Sequence, residues 1–371
     1  MQAVRSKNRV RSASARGVES LEARQLMAAH IVGSPAVFPT IQAAVNAANP
    51  GDTVKVDAGT YHESVVINKH LTVQGSPFLP SVVDGALVAT NDRTTSFTIT
   101  ADDVTLANFT IQNNNDLNHG AGVVISPGVS GTKILNNNIN HNVTGLYLAN
   151  DNASDPAVIR GNVFAYNNNP GQNNGRGIYT DGGVSGGLLT SVVIDSNLFV
   201  GNVGDGSSGN PEAAVDLHAA TAGRQFNVSI TNNLMAANGK GVFMVNASGI
   251  NISDNVFTLC TDSLSAAVRD EGNVSNATIT GNSFLFNSGA AVMIDQKFAP
   301  SPSSNFTITC NNFLGNQKGA LVIATGGYTG TLNATNNWWG SFFGPSSSGQ
   351  DALITNGNSV TSTPFSRFPI F

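Results

Sequence analysis

Two cysteines in 371 residues cannot staple a fold. A small scaffold held by disulfides is therefore excluded. Charged residues make up only 11% of the chain, and the formal net charge is −5. Six of the 18 basic side chains (Arg5, Lys7, Arg9, Arg11, Arg16 and Arg24) lie before residue 31, opposed there only by Glu19 and Glu22. The rest of the chain holds 12 basic and 21 acidic groups, which argues against nucleic acid as a partner. No apolar run is long enough to cross a bilayer as a helix. Six His and two Cys show no metal-ligand spacing, so a dedicated transition-metal centre is not expected.

What the chain has in quantity is asparagine at a fixed place in a repeat. In Ile279-Thr280-Gly281-Asn282-Ser283-Phe284-Leu285-Phe286-Asn287 an apolar residue is followed by Asn, then a large apolar residue, then Asn again. The same frame fits Ile134/Asn137/Ile139/Asn142, Ile159/Asn162/Phe164/Asn167, Ile194/Asn197/Phe199/Asn202, Ile230/Asn233/Met235/Asn238 and Ile308/Asn311/Phe313/Asn316. It also fits Ile252/Asn255/Phe257, with Cys260 in the last place. The first Asn recurs at 137, 162, 197, 233, 255, 282, 311 and 337, with gaps of 25, 35, 36, 22, 27, 29 and 26 residues. Periods in the twenties built from three- to five-residue strand units mark a stacked solenoid. Equivalent residues would then sit about 4.8 Å apart, so Asn side chains can bond to one another and large apolar residues can form a column. Cys260 and Cys310 fall in coils two apart, about 10 Å along the axis, too far for a disulfide; two buried thiols are expected.

A further strand follows each second Asn. It opens at Gly122, Gly145, Gly177, Ala214, Gly241, Ala267, Ala291 and Ala320. With this strand the sequence resembles the right-handed parallel β-helix repeat family, the pectin-lyase-like superfamily, over roughly residues 38 to 345. The resemblance implies an all-β solenoid with an N-terminal capping helix, and says little of activity, because that superfamily holds lyases, hydrolases, esterases, tailspikes and non-catalytic surface proteins. Thr40 is placed to cap a short helix whose apolar face is Ile41, Ala44, Val45 and Ala48. His62 and Glu63 read as surface residues. Asn336-Asn337-Trp338-Trp339-Gly340 resembles a last coil, with both Trp sealing the apolar end.

Three segments follow: 1–33, a targeting segment; 34–345, the β-helix; 346–371, a closing loop and tail. The phrase from Val18 to Ala28 resembles a short sorting motif of bacterial surface and exported proteins, so the protein is expected to be secreted or held at the cell surface, as a monomer.

In the family, the strand opening with Gly or Ala belongs to the sheet that bears the ligand groove. Counting from that residue, the first and third following side chains face inward and the second and fourth outward. The outward set includes Tyr147, Tyr179, Asp216, Phe243 and Arg269 in second place, and Asp181, His218, Glu271 and Asp295 in fourth. Aromatic platforms beside ionisable groups suit a sugar chain, with rings to stack on and acceptors for hydroxyls. The 35- and 36-residue repeats place their extra residues around Tyr179, Asp181, Asp216 and His218, as insertions that wall a binding face do.

Two reactions fit such a face. In a lyase, Asp181 and Asp216, with Glu271 or Asp295, would hold Ca²⁺ against a uronate, and Arg269 or Lys297 would take the proton. In a hydrolase, Asp181 and Asp216 would act as acid and base. Asp181, Asp216 and Arg269 are thus the candidate catalytic residues; Tyr147, Tyr179, His218, Phe243, Glu271 and Asp295 are candidate substrate contacts. The catalytic signatures of polygalacturonases, pectin methylesterases and pectate lyases are missing. The expected function is polysaccharide recognition along one sheet; the alternative is a non-catalytic structural or adhesive rod.

Overall fold

The computed structural model describes residues 28–87, 95–117, 120–180, 188–206, 212–219, 223 and 225–370. Residues 1–27 of the expected targeting segment 1–33 lie outside them, and the rest of it includes the strand Ala29–Ile31. Among the described residues, three long sheets of 14, 10 and 11 strands run side by side along a solenoid. Each coil gives one strand to each sheet, as in Thr278–Thr280, Ser283–Leu285 and Ala290–Ile294.

The repeat frame is the strand register. In the first sheet Ile134, Ile159, Ile194, Ile230, Ile252, Ile279 and Ile308 pair in succession. In the second, Ile139, Phe164, Phe199, Met235, Phe257, Phe284 and Phe313 do the same. Facing rings stack at 4.9 Å for Phe164 and Phe199 and 4.8 Å for Phe257 and Phe284. Burying a Phe side chain of this kind contributes about 2 kcal/mol.

The turns explain the asparagines. The residue before each first-ladder Asn has left-handed backbone: Asn136, Gly161, Ser196, Asn232, Asp254, Gly281, Cys310 and Asn336. One left-handed residue turns the chain from the first sheet to the second. The Asn that follows is buried, and its amide closes the turn. Asn162 Oδ1 accepts from the Asn137 backbone N–H (2.9 Å) and from Asn137 Nδ2 (3.1 Å). Asn162 Nδ2 donates back to Ile134 O (2.8 Å) and onward to Asn197 Oδ1 (3.0 Å). This pattern continues to Asn337. A second ladder runs from Asn114 through Asn142, Asn167 and Asn202 to Asn238, and resumes from Asn287 to Asn316.

Cys310 corrects one expectation. It occupies a left-handed turn position (φ +58°) and is only half-buried, so only Cys260 is a core thiol. Both cysteines are free.

Both ends are closed. Helix Ile41–Ala47 covers the first coils with Ile41, Ala44 and Val45. Thr40 Oγ1 accepts from Ala43 N (3.0 Å), and the Glu63 carboxylate accepts from Ile41 N (3.0 Å) and Gln42 N (3.1 Å). Glu63 is therefore a second cap on that helix. Residues Ala29–Ile31 already pair with Val37–Phe38 and Thr53–Val56. At the other end Trp339 lies on Phe313 (5.2 Å between ring centres) and is buried, whereas Trp338 is half-buried. The stack extends past residue 345, since Leu353–Ile354 pairs with the third sheet and Ser359–Thr361 with the first. Asp351 ends the second ladder: its carboxylate accepts from Asn316 Nδ2 (2.7 Å), Asn316 N (2.9 Å) and Gly315 N (2.6 Å).

Candidate functional site

The third sheet carries the chemistry. Val123, Leu146, Ile178, Val215, Val242, Val268, Val292 and Leu321 pair as its inward row. The outward row runs Val124, Tyr147, Tyr179, Asp216, Phe243, Arg269, Met293 and Val322. Its members point away from the main core, as the alternation requires, but most do not meet solvent.

Tyr147, Tyr179 and Phe243 are buried, which corrects the expectation of an open aromatic platform. Tyr147 and Tyr179 pack edge to face (5.7 Å) in a small cluster of their own with Ala121, and the long-coil residue Asn173 lies against the Tyr147 hydroxyl. Phe243 clusters with Ala213, Val245 and Ala299. Asn173 and Ala299 thus pack on surface that pattern alone leaves open.

Asp216 is 0% exposed. Its Oδ2 accepts from Arg176 Nε at 2.5 Å, and its Oδ1 has no hydrogen-bond partner. Burial pushes its carboxyl above the ordinary carboxylate value; the adjacent Arg176 guanidinium and, less strongly, His218 pull it back. Arg176 stacks 4.5 Å above the Tyr179 ring and donates to Asn174 O (3.3 Å). Asp216 is therefore held inside the wall of the site, not presented to a substrate. Asp181, its intended partner, lies outside the described residues.

Arg269 is buried and ion-paired. It reaches Glu271 Oε1 at 3.1 Å, and also Asp295 and the Met293 sulfur. The guanidinium, expected as a candidate base, is thus held between two carboxylates at the edge of the cleft. His218 is half-buried between two phenylalanines, 5.9 Å from Phe243 and 4.5 Å from Phe298. Its Nδ1 is buried with no partner.

Around His218 the surface opens into a cleft of about 560 Å³, lined on its charged side by Glu212, Lys240, Asp262, Arg269, Glu271 and Lys297. His218, Phe243, Leu264 and Phe298 also line it. Lys240 Nζ meets Asp262 Oδ2 at 2.7 Å. The structure thus gathers His218, Phe243, Arg269 and Glu271 at one cleft, with Asp295 behind Arg269 and Asp216 beneath. Tyr147 and Tyr179 stand apart from it. Among the described residues, no three His, Cys, Asp or Glu side chains converge to hold a metal ion; Asp181, one of the expected Ca²⁺ ligands, lies outside them.

Three residues that sequence reasoning missed carry signals in hindsight. Arg176 and Lys240 occupy the place just before the opening Gly, where other coils have Ala121, Thr144, Ala213, Ala266 and Ala290. Asp270 stands at an inward position, paired with Met244 and Ile294. Burial pushes its carboxyl up to about 7, against the Ser303 hydroxyl and the Gly272 N–H.

The family described as "Right handed beta helix region" matches residues 215–361. That match and the coil stack give the chain the right-handed parallel β-helix fold. No curated protein matches it. Among solved structures, the alginate lyase AlyGC is similar at 14% identity and TM-score 0.51, over 87% of this chain and 49% of that one. The surface protein and adhesin PfbA of Streptococcus pneumoniae is similar at 14% identity and TM-score 0.50, over 83% of this chain and 91% of that one. A mannuronic acid specific polysaccharide family 6 lyase from human gut microbiota gives 15% identity and TM-score 0.50, over 78% and 75%. At these identities the likeness is one of fold.

Proposed function

We propose that the protein binds carbohydrate in the cleft around His218, outside the cell. The observation that carries this reading is the cleft itself. It sets an exposed ring edge, Phe298, and a histidine beside two fixed ion pairs, Lys240–Asp262 and Arg269–Glu271. Rings to stack on and immobilised polar groups are what a sugar requires. The fold similarity to the two lyases and to the adhesin is consistent with a glycan-facing protein. The basic stretch before residue 28 is the export signal in this reading.

Catalysis by Asp216 and Arg269 is not part of the proposal, because both are locked in ion pairs. A second reading, the non-catalytic rod, is favoured by the ladders and by the likeness to the PfbA adhesin. Electrophoresis of the whole protein through gels cast with individual polysaccharides separates them. Retardation in at least one gel, lost when His218→Ala and Phe298→Ala are combined, supports the cleft. Unretarded migration in every gel, with normal thermal unfolding, leaves the rod. Parallel assays of reducing ends and of ultraviolet-absorbing products report any cleavage.

A further inference from the structure

Resting on that reading, we infer that the cleft takes a neutral, hydroxyl-rich sugar and not a uronate. The inference comes from how its charges are disposed. The lining holds three acids (Glu212, Asp262, Glu271) and three bases (Lys240, Arg269, Lys297). Lys240 is already bound to Asp262, and Arg269 to Glu271 and Asp295. Among the described residues, Lys297 is the one lining cation without an acid partner, and it is exposed.

A uronate chain brings a carboxylate on every ring. To bind it, the site would have to supply cations that its own acids do not already hold. Here a carboxylate approaching Arg269 would meet Glu271 and Asp295 first, at a like-charge cost. A single solvated lysine offsets little of that in water.

A neutral ring meets the opposite situation. Each ion-paired carboxylate keeps lone pairs that can accept a hydroxyl, and its orientation is already fixed. The His218 Nδ1, buried and unpartnered, adds a polar contact once a ligand or solvent reaches it. Phe298 (47% exposed) and Leu264 (89% exposed) present apolar surface on which the C–H face of a pyranose rests. A cleft of about 560 Å³ falls within the range of small-ligand sites. Elimination needs a carboxyl beside the C–H that breaks, so a neutral ligand leaves binding or hydrolysis as the outcomes.

The test uses the whole protein and hexasaccharides of one length: cellohexaose, xylohexaose and mannohexaose against hexamers of mannuronate and galacturonate. Titration calorimetry is run at about 50 and 500 mM salt, where charge attraction is weakly and strongly screened. The expected result is that a neutral hexamer binds, with Kd changing less than about twofold between the salts. Phe298→Ala should weaken it about tenfold and Lys297→Ala less than about twofold. Both side chains are exposed, and thermal unfolding verifies that the variants fold. Preferential binding of a uronate hexamer, weakened by salt and by Lys297→Ala, overturns the neutral assignment and leaves carbohydrate recognition standing. No binding by any hexamer, with normal unfolding, overturns both.

Discussion

Asn238 and Cys260 are consecutive rungs of the second ladder, and the bond between rungs stops there. Asn238 Nδ2 donates to Phe199 O (3.0 Å) and Ala236 O (3.2 Å) but finds no amide oxygen in the next coil. Cys260 N still donates to Asn287 Oδ1 (3.0 Å), so the backbone is in register for an Asn. Cys260→Asn is therefore expected to raise stability by about 1 kcal/mol, the value of one buried hydrogen bond. Urea unfolding of the pair measures it; an unchanged or lower midpoint sinks the account of the ladder.

The two thiols differ in reach. Cys260 is buried, and burial pushes its thiol up to about 12. Cys310 is half-buried in its turn. Native protein at pH 8 should take one equivalent of a thiol reagent quickly, at Cys310, and the second only on unfolding. Fast modification of Cys260 in native protein would contradict the burial described.

The Arg176–Asp216 pair allows a double-mutant cycle. Asp216→Leu leaves a buried guanidinium without its partner and should cost about 3–5 kcal/mol. Arg176→Met together with Asp216→Leu should recover much of that, because neither charge is then stranded. Additive losses would show that the two do not act as a pair.

The frame of the fold was open to reading because it repeats. Ile279, Asn282 and Phe284 each stand in register with the same residue type in neighbouring coils, so one side chain is argued many times over. The outward alternation was also correct for Asp216 and Phe243. Their burial was not legible, since it depends on where Ala299 and Arg176 come to rest. Pairing of Asp216 with Arg176 links residues 40 apart, across a long coil whose path no periodicity describes. Single-coil substitutions such as Lys240, Arg269 and Asp270 break the pattern, and the site lies where they cluster.

Asp270 makes stability depend on pH. Its carboxyl moves from 3.8 in the unfolded chain to about 7 in the fold. The folded state thus holds a proton that the unfolded state has released over that window. The contribution of the neutral form is full below the unfolded value and is lost as pH rises through about 7. Asp270→Asn, which cannot ionise, should be more stable than the parent at pH 8 by about 4 kcal/mol and nearly equal to it at pH 4. Parallel denaturation curves at the two values decide it, and an equal difference at both refutes the assignment.

The ladders also give the rod a direction. In every joined pair the upstream turn supplies the N–H groups and the downstream Asn supplies the oxygen, as Asn137 and Asn162 do. A chain made from its N-terminus therefore always presents unfilled donors at its growing edge, ready for the coil that has not yet emerged. Each new turn is templated by the one before it. The second ladder ends at a residue with oxygens to give and no proton to offer onward, the Asp351 carboxylate. A coil inserted or removed between two Asn rungs leaves the same donors and acceptors at both faces of the cut, so the stack can change length without stranding a turn.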